Sequence, residues 1–167
     1  MGGTMKEWLD NIKQAIGEFS GEASAYFALK GRLRGRVTIG DQTRENTVTD
    51  TGIKAIARAL CSPVRQSGRT LSPVFRIEWF AASTSATTPT PKDTTLGGSV
   101  SLRSVEQVDA LGKKLVVTNF VGQPEFNFTW RKAGLLLGDG TVFALCGVYE
   151  PKTDQVSKTV VWEIEFL

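Results

Sequence analysis

Apolar positions recur along this chain with two different periods, and the change of period divides it. Over residues 5–19, Trp8, Leu9, Ile12, Ile16 and Phe19 fall at helical spacing, with Lys6, Glu7, Asp10, Lys13 and Glu18 between them. That pattern predicts an amphipathic helix ending near Gly17 or Gly21. A short helix alone is marginal in water, so its stripe must bury on something. Two surfaces can take it. One is the chain's own domain; the other is a neighbouring subunit, reached by a helical arm over residues 1–22. Residues 23–167 then form a β-rich domain.

From residue 24 the period falls to two. Residues 24–39 read as one long strand or a bent pair. Leu29, Gly31, Leu33, Gly35, Val37 and Ile39 share one face, and Lys30, Arg32, Arg34, Arg36 and Thr38 share the other. Like charges two apart repel, so either acidic side chains on an adjacent strand compensate them or the face meets an acidic protein surface or phosphates. A turn at Gly40-Asp41 leads to a short strand over 42–49. Asp50 or Thr51 then caps a helix that buries Ile53, Ile56, Ala57 and Leu60 and stops at Ser62-Pro63. Residues 64–72 read as loop.

Pro73 opens a strand over 74–81, with Phe75, Ile77 and Trp79 on one face. Residues 82–99 follow, a long Ser/Thr/Pro segment with almost no bulky apolar residue. Loops of that length in compact domains are functional or disordered. Further strands are predicted over 100–109 and 114–121, on Phe126, Phe128 and Trp130, over 135–137, over 142–149 and over 158–167. The hairpin signal Gly138-Asp-Gly140 joins two of them. In the last strand Val160, Trp162, Ile164 and Phe166 alternate with Val161, Glu163 and Glu165. Many short strands with turn signals between them predict a mainly β fold. The expected form is an antiparallel sandwich or barrel with an N-terminal amphipathic helix and one short internal helix.

Composition removes most chemistry. The chain has no histidine, so the commonest general base and metal ligand are missing. Its two cysteines, Cys61 and Cys146, lack CxxC spacing and read as free buried thiols rather than a disulfide or zinc set. Net charge is +3, too mild to argue for nucleic acid, and no aromatic residue interleaves with the cations. No apolar run approaches the roughly 18–20 residues that cross a bilayer, and the N-terminus lacks a signal peptide's apolar centre. Lys6 stands where a myristoylation signal needs Ser or Thr. These features predict a soluble protein made in a cytoplasm, with no membrane contact.

The remaining groups read as structure. Glu163 and Glu165 alternate on a strand face, with Lys or Arg expected across from them. Asp139 belongs to a turn, because no Asp-x-Asp series surrounds it. Gly97-Gly98 is too isolated for a phosphate loop. Phe126, Phe128 and Trp130 fit sheet core better than a stacking platform. No enzyme, cofactor or metal site is expected.

Four segments stand in a fixed order along the chain. They are Asn46-Thr-Val-Thr-Asp-Thr-Gly52 running into a helix to Leu60; the strand ending at Ala81-Ala82 with its Thr/Pro loop, closed by Asp93-Thr-Thr-Leu96, with Arg103 beyond; Phe126-Asn-Phe-Thr-Trp130 with the run through Gly138-Asp-Gly-Thr-Val-Phe143; and Lys158-Thr-Val-Val-Trp-Glu-Ile-Glu-Phe166. Together they resemble a group of tailed-bacteriophage structural proteins, a likeness that covers about residues 46–167. Ser83-Thr-Ser85 stands where that group often has Gly-Thr-Gly.

The resemblance implies a virion component that binds neighbours and carries no catalytic residues. The first expectation is a decoration or cement protein on the capsid shell, self-associated, with a trimer suited to a symmetry axis. The alternative is a tail, baseplate or neck part. A nucleic-acid-binding module on the cationic strand and a glycan-binding domain are lesser readings. Partners would be the major capsid protein or tail proteins, and the location the virion. The contact residues expected are Lys30, Arg32, Arg34 and Arg36; the stripe Trp8, Leu9, Ile12 and Ile16; and Pro89, Pro91, Asp93 and Leu96 of the loop, which is expected to order fully only in the assembled particle.

Overall fold

The computed structural model describes residues 3–17, 21–61 and 76–167. Phe19, the Ser62-Pro63 stop, the 64–72 loop and the strand opening at Pro73 and Phe75 lie outside the described residues. The fold is mainly β: among the described residues nine antiparallel strands form one sheet curled into a half-barrel, with three helices.

Helix α1 (Met5–Ile16) begins in a capping box. Thr4 Oγ1 accepts from the Glu7 amide, and the Glu7 carboxylate accepts from the Thr4 amide, both at 3.2 Å. The helix packs on the chain's own domain. Trp8 and Ile12 are fully buried, and Leu9 and Ile16 pack half-buried against the same core. Trp8 Nε1 donates to the Lys113 carbonyl and Asn11 Nδ2 to the Gly112 carbonyl, both at 2.9 Å.

Helix α2 (Glu22–Leu29) corrects the reading of 24–39 as strand. Its Glu-Ala-Ser-Ala-Tyr-Phe-Ala-Leu run is rich in good helix formers, and Ala25 and Leu29, four apart, are both buried. The period-two signal begins only at β1 (Leu33–Ile39). Lys30, Gly31 and Arg32 form a turn, so the four cations do not share one strand face.

Strand β2 (Gln42–Val48) pairs with β1 over Gln42–Asn46 and then, through Thr47 and Val48 alone, with β8 (Val142–Pro151). It thereby joins the two halves of the sheet. Helix α3 (Asp50–Cys61) follows and buries Ile53, Ile56, Ala57 and Leu60 as the spacing predicts. Its cap is Thr49, one residue before the expected pair: the Gly52 amide donates to Thr49 Oγ1 at 3.0 Å.

One half of the sheet holds β4 (Val100–Ser104), β3 (Ile77–Ser83), β7 (Thr129–Leu137) and β8, in that order. The other holds β2, β1, β9 (Lys158–Phe166), β6 (Lys114–Val121) and β5 (Gln107–Leu111). The expected single strand over 100–109 is two. Val105 and Glu106 separate β4 from β5, so the chain bends and crosses from one end of the sheet order to the other at a corner. Arg103 of β4 fixes that corner. It donates to the Phe120 carbonyl, to Glu125 at 3.1 Å and to Glu106 at 2.8 Å.

The expected strand on Phe126, Phe128 and Trp130 begins only at Thr129. Phe126 has a positive φ of 54°, which breaks the alternation. Phe126 and Phe128 instead form a ring cluster with Phe80 and the buried Trp130. The main core lies between the sheet and the helices, where Trp8, Ile12, Leu29 and Ile56 meet Trp130, Phe143, Trp162 and Ile164. A second, smaller core of Ala81, Leu96, Leu136, Val142 and Leu145 lies apart from it. No described helix is long and apolar enough to cross a membrane.

Candidate contact surface

The small second core is where the Thr/Pro loop is held. The loop leaves β3 at Ser83, and its ends are tied by Thr84 N to the Ser99 carbonyl (3.2 Å) and Ser99 N to Thr84 Oγ1 (3.0 Å). Leu96 is 4% exposed and inserts among Ala81, Leu136, Val142 and Leu145. Gly134 lies beneath it: a Cβ there would stand 3.3 Å from the Leu96 methyl carbons. The Pro91 carbonyl accepts from the Asp50 amide at 2.7 Å, where α3 begins. Asp93 turns back on Thr90, accepting from its amide and its hydroxyl at 2.9 Å each. These bonds hold its carboxyl below the usual carboxylate range.

Lys132 pins the middle of the loop. It is 1% exposed, and its Nζ donates to Thr87 Oγ1 at 2.6 Å and to the Leu96 carbonyl at 3.1 Å. An ammonium can sit so deep only because those bonds replace water. The loop is therefore ordered by contacts within one chain. The expectation that its order waits for assembly is corrected. A polar composition gives no sign of how many of its polar groups are bonded to its own sheet.

The Lys132→Met variant tests this anchoring. Methionine keeps the volume but loses both bonds, while the cost of burying a charge also disappears. Global stability is expected to fall by no more than about 2 kcal/mol. Amides in 86–97 should nevertheless exchange several-fold faster by hydrogen–deuterium mass spectrometry. Unchanged protection of that segment would show that Lys132 does not hold the loop.

Thr49, Thr51 and Gly52 build the far side of this platform. Thr49 Oγ1 donates to the Val142 carbonyl at 2.7 Å and Thr51 Oγ1 to the same carbonyl at 2.9 Å, while Thr49 N donates to the Phe143 carbonyl at 3.0 Å. Segments 46–52, 83–96 and 132–143 of the sequence resemblance thus meet in one bonded cluster. What each contributes there is structural support for the loop.

The cations are dispersed. Lys30 Nζ stands 5.6 Å from the Tyr26 ring centroid. Arg32 lies 4.4 Å over the Phe166 ring and donates to the Leu167 carbonyl at 2.9 Å. Arg34 meets Glu45 of β2 at 3.0 Å, and Arg36 meets Glu163 of β9 at 3.6 Å. Lys114 also meets Glu163, at 2.9 Å, and Glu165 stands opposite both Arg34 and Lys114 in register. This outer face of β1, β2, β6 and β9 carries charges of both signs in pairs, and such exposed pairs add little stability.

Of the candidate contact residues, the stripe Trp8, Leu9, Ile12 and Ile16 faces the chain's own core. Leu96 is buried, and Asp93 bonds within the loop. Pro91 is exposed and Pro89 half-exposed. Residues missed by sequence reasoning are Thr49, Arg103 and Lys132. Lys132 had a signal: a charge directly before Ala133-Gly-Leu-Leu-Leu137 cannot easily reach water. Arg103 stands out in the sequence only through the resemblance, because two of its three partners lie 17 and 22 residues away.

Cys61 and Cys146 are both free, and burial pushes the Cys146 thiol up to about 11 while Cys61 is only half-buried. Among the described residues no three Cys, Asp or Glu gather as a metal set. Set beside known protein families, curated proteins and solved structures, the chain matches none of them.

Proposed function

We propose that the chain is a tailed-bacteriophage virion structural protein, a decoration or cement component that binds the capsid shell through protein–protein contacts. One observation supports this reading. Three of the four segments that carry the resemblance converge on a platform, and the platform holds a well-bonded loop that leaves Pro91 exposed and Pro89 half-exposed. A loop ordered in advance loses little conformational entropy when it docks, which suits a repetitive assembly. The paired charges around Arg34 and Arg36 shift the expected contact from the cationic strand to the loop side of the molecule.

The test is co-sedimentation of the purified chain with capsids of the phage that encodes it, prepared without it. Binding at a fixed number of copies per capsomer is expected, with cryo-EM density for the loop against the shell. No binding to capsids would defeat the decoration role, and binding to isolated tails in their place would move the protein to the neck or baseplate.

A further inference from the structure

We propose that the cleft between the Thr/Pro loop and the strands β7 and β8 is an anion site that takes a carboxylate side chain of a partner protein. The cleft has a volume of about 220 Å³, and Arg44, Thr87, Pro89, Arg131 and Tyr149 are among its lining residues. No acidic residue lines it. Arg34, Arg36, Arg58, Arg76 and Arg103 each have a carboxylate partner elsewhere on the molecule. Arg32 is occupied by the Leu167 carbonyl and the Phe166 ring, whereas Arg44 and Arg131 have no acid partner among the described residues and both line this one cleft. Arg44 makes only a long bond of 3.4 Å to Gln42, and Arg131 rests 5.5 Å from the Tyr149 ring centroid. Behind the Thr87 wall, the Lys132 ammonium adds a third positive charge. The neighbouring acids are engaged elsewhere: Glu45 with Arg34, Glu150 with Lys158, and Asp93 with Thr90.

Size and surroundings select the ligand. Pockets for whole small molecules usually run from about 300 to 1,000 Å³, so this cleft suits one side chain. Two guanidinium forks match the planar geometry of a carboxylate, while Pro89 and Tyr149 offer apolar walls to its aliphatic stem. A nucleic-acid strand would need a basic groove that continues along its backbone. The other cations of β1, Arg34 and Arg36, do not line the cleft and are neutralised by Glu45 and Glu163, so they do not extend it into such a groove. The inference rests on the reading of the loop side as a protein contact.

The test uses the full chain and N-acetyl-hexaglutamate amide as probe, followed by the side-chain Nε–H resonances of the arginines at low salt. Arg44 and Arg131 are expected to shift together. The R44Q/R131Q variant should weaken binding at least about tenfold, and R34Q/R36Q less than about twofold. R44K/R131K, which keeps the charge, should retain part of the affinity and so guards against a folding artefact. Equal loss in R34Q/R36Q, or shifts confined to other arginines, would overturn the site. A six-residue thymidine oligonucleotide that bound more tightly and was lost in the same variant would overturn the choice of a protein ligand. Should the peptide fail to bind while the chain still attaches to capsids or tails, the site falls and the virion reading stands. Should the peptide bind at these arginines while the chain attaches to neither, the site stands and the virion reading falls.

Discussion

Replacing Gly52 with alanine is expected to destabilise the protein by about 2–3 kcal/mol, although alanine is the better helix former. In an open helix the exchange would stabilise by roughly 1 kcal/mol. Here the added Cβ would run into the Phe143 carbonyl oxygen and stand 2.8 Å from the Phe143 ring carbon Cδ1. The obstacle is mainly backbone, and that backbone belongs to β8, a central strand of the sheet. Neither side can yield cheaply, because Thr49, in the turn before Gly52, is bonded to both Val142 and Phe143. A thermal melt should fall by about 5–10 °C for a chain of this size. A variant that melted at or above the parent would show that α3 can move away from β8 without cost, and the platform beneath the loop would lose its claim to rigidity.

Trp8→Ala is expected to cost more, about 3–5 kcal/mol, because it removes a fully buried indole together with its bond to the Lys113 carbonyl. The measurement is equilibrium denaturation of the isolated chain. Its outcome separates a helix that is part of the body from an arm waiting for a neighbour. An arm would leave the single chain's stability untouched and reveal its loss only on assembly. The expected drop in the isolated chain follows from Trp8 and Ile12 lying in the same core as Trp162 and Ile164.

The parts of the fold that were legible in the sequence are those in which one face is buried and the other is not. Strand β9 alternates Val160, Trp162, Ile164 and Phe166 inward with Glu163 and Glu165 outward, and its period alone fixes its state. Helix α3 reads as clearly, from Ile53 to Leu60. Helix α2 did not, because it is apolar nearly all round and has no stripe to count, and because the alternation of Leu33 to Ile39 extends backwards through Leu29. The β4–β5 corner was hidden for a different reason. The chain bends at Glu106 with neither glycine nor proline there, so nothing in the local sequence marks the change of pairing partner.

The loop shows the same limit in the candidate site. Its composition correctly marks it as something other than core. Its anchors, Lys132 and Leu96, act across 45 and 36 residues of sequence. The arginines of the cleft are likewise ordinary surface residues one by one. Only their place together around one cleft without an acid, seen after the other pairings are known, sets them apart.

The corner at Arg103 gives the molecule a direction of mechanical weakness. Apart from the two-residue junction of β2 with β8, neighbouring strands are joined by ladders in which many backbone bonds share a shearing load. Across the corner, one guanidinium carries the link from β4 to the Phe120 carbonyl and Glu125. A force applied along the strands is spread over the sheet, whereas one that pulls β4 from β6 falls on that side chain and on the two-residue link Val105-Glu106 into β5.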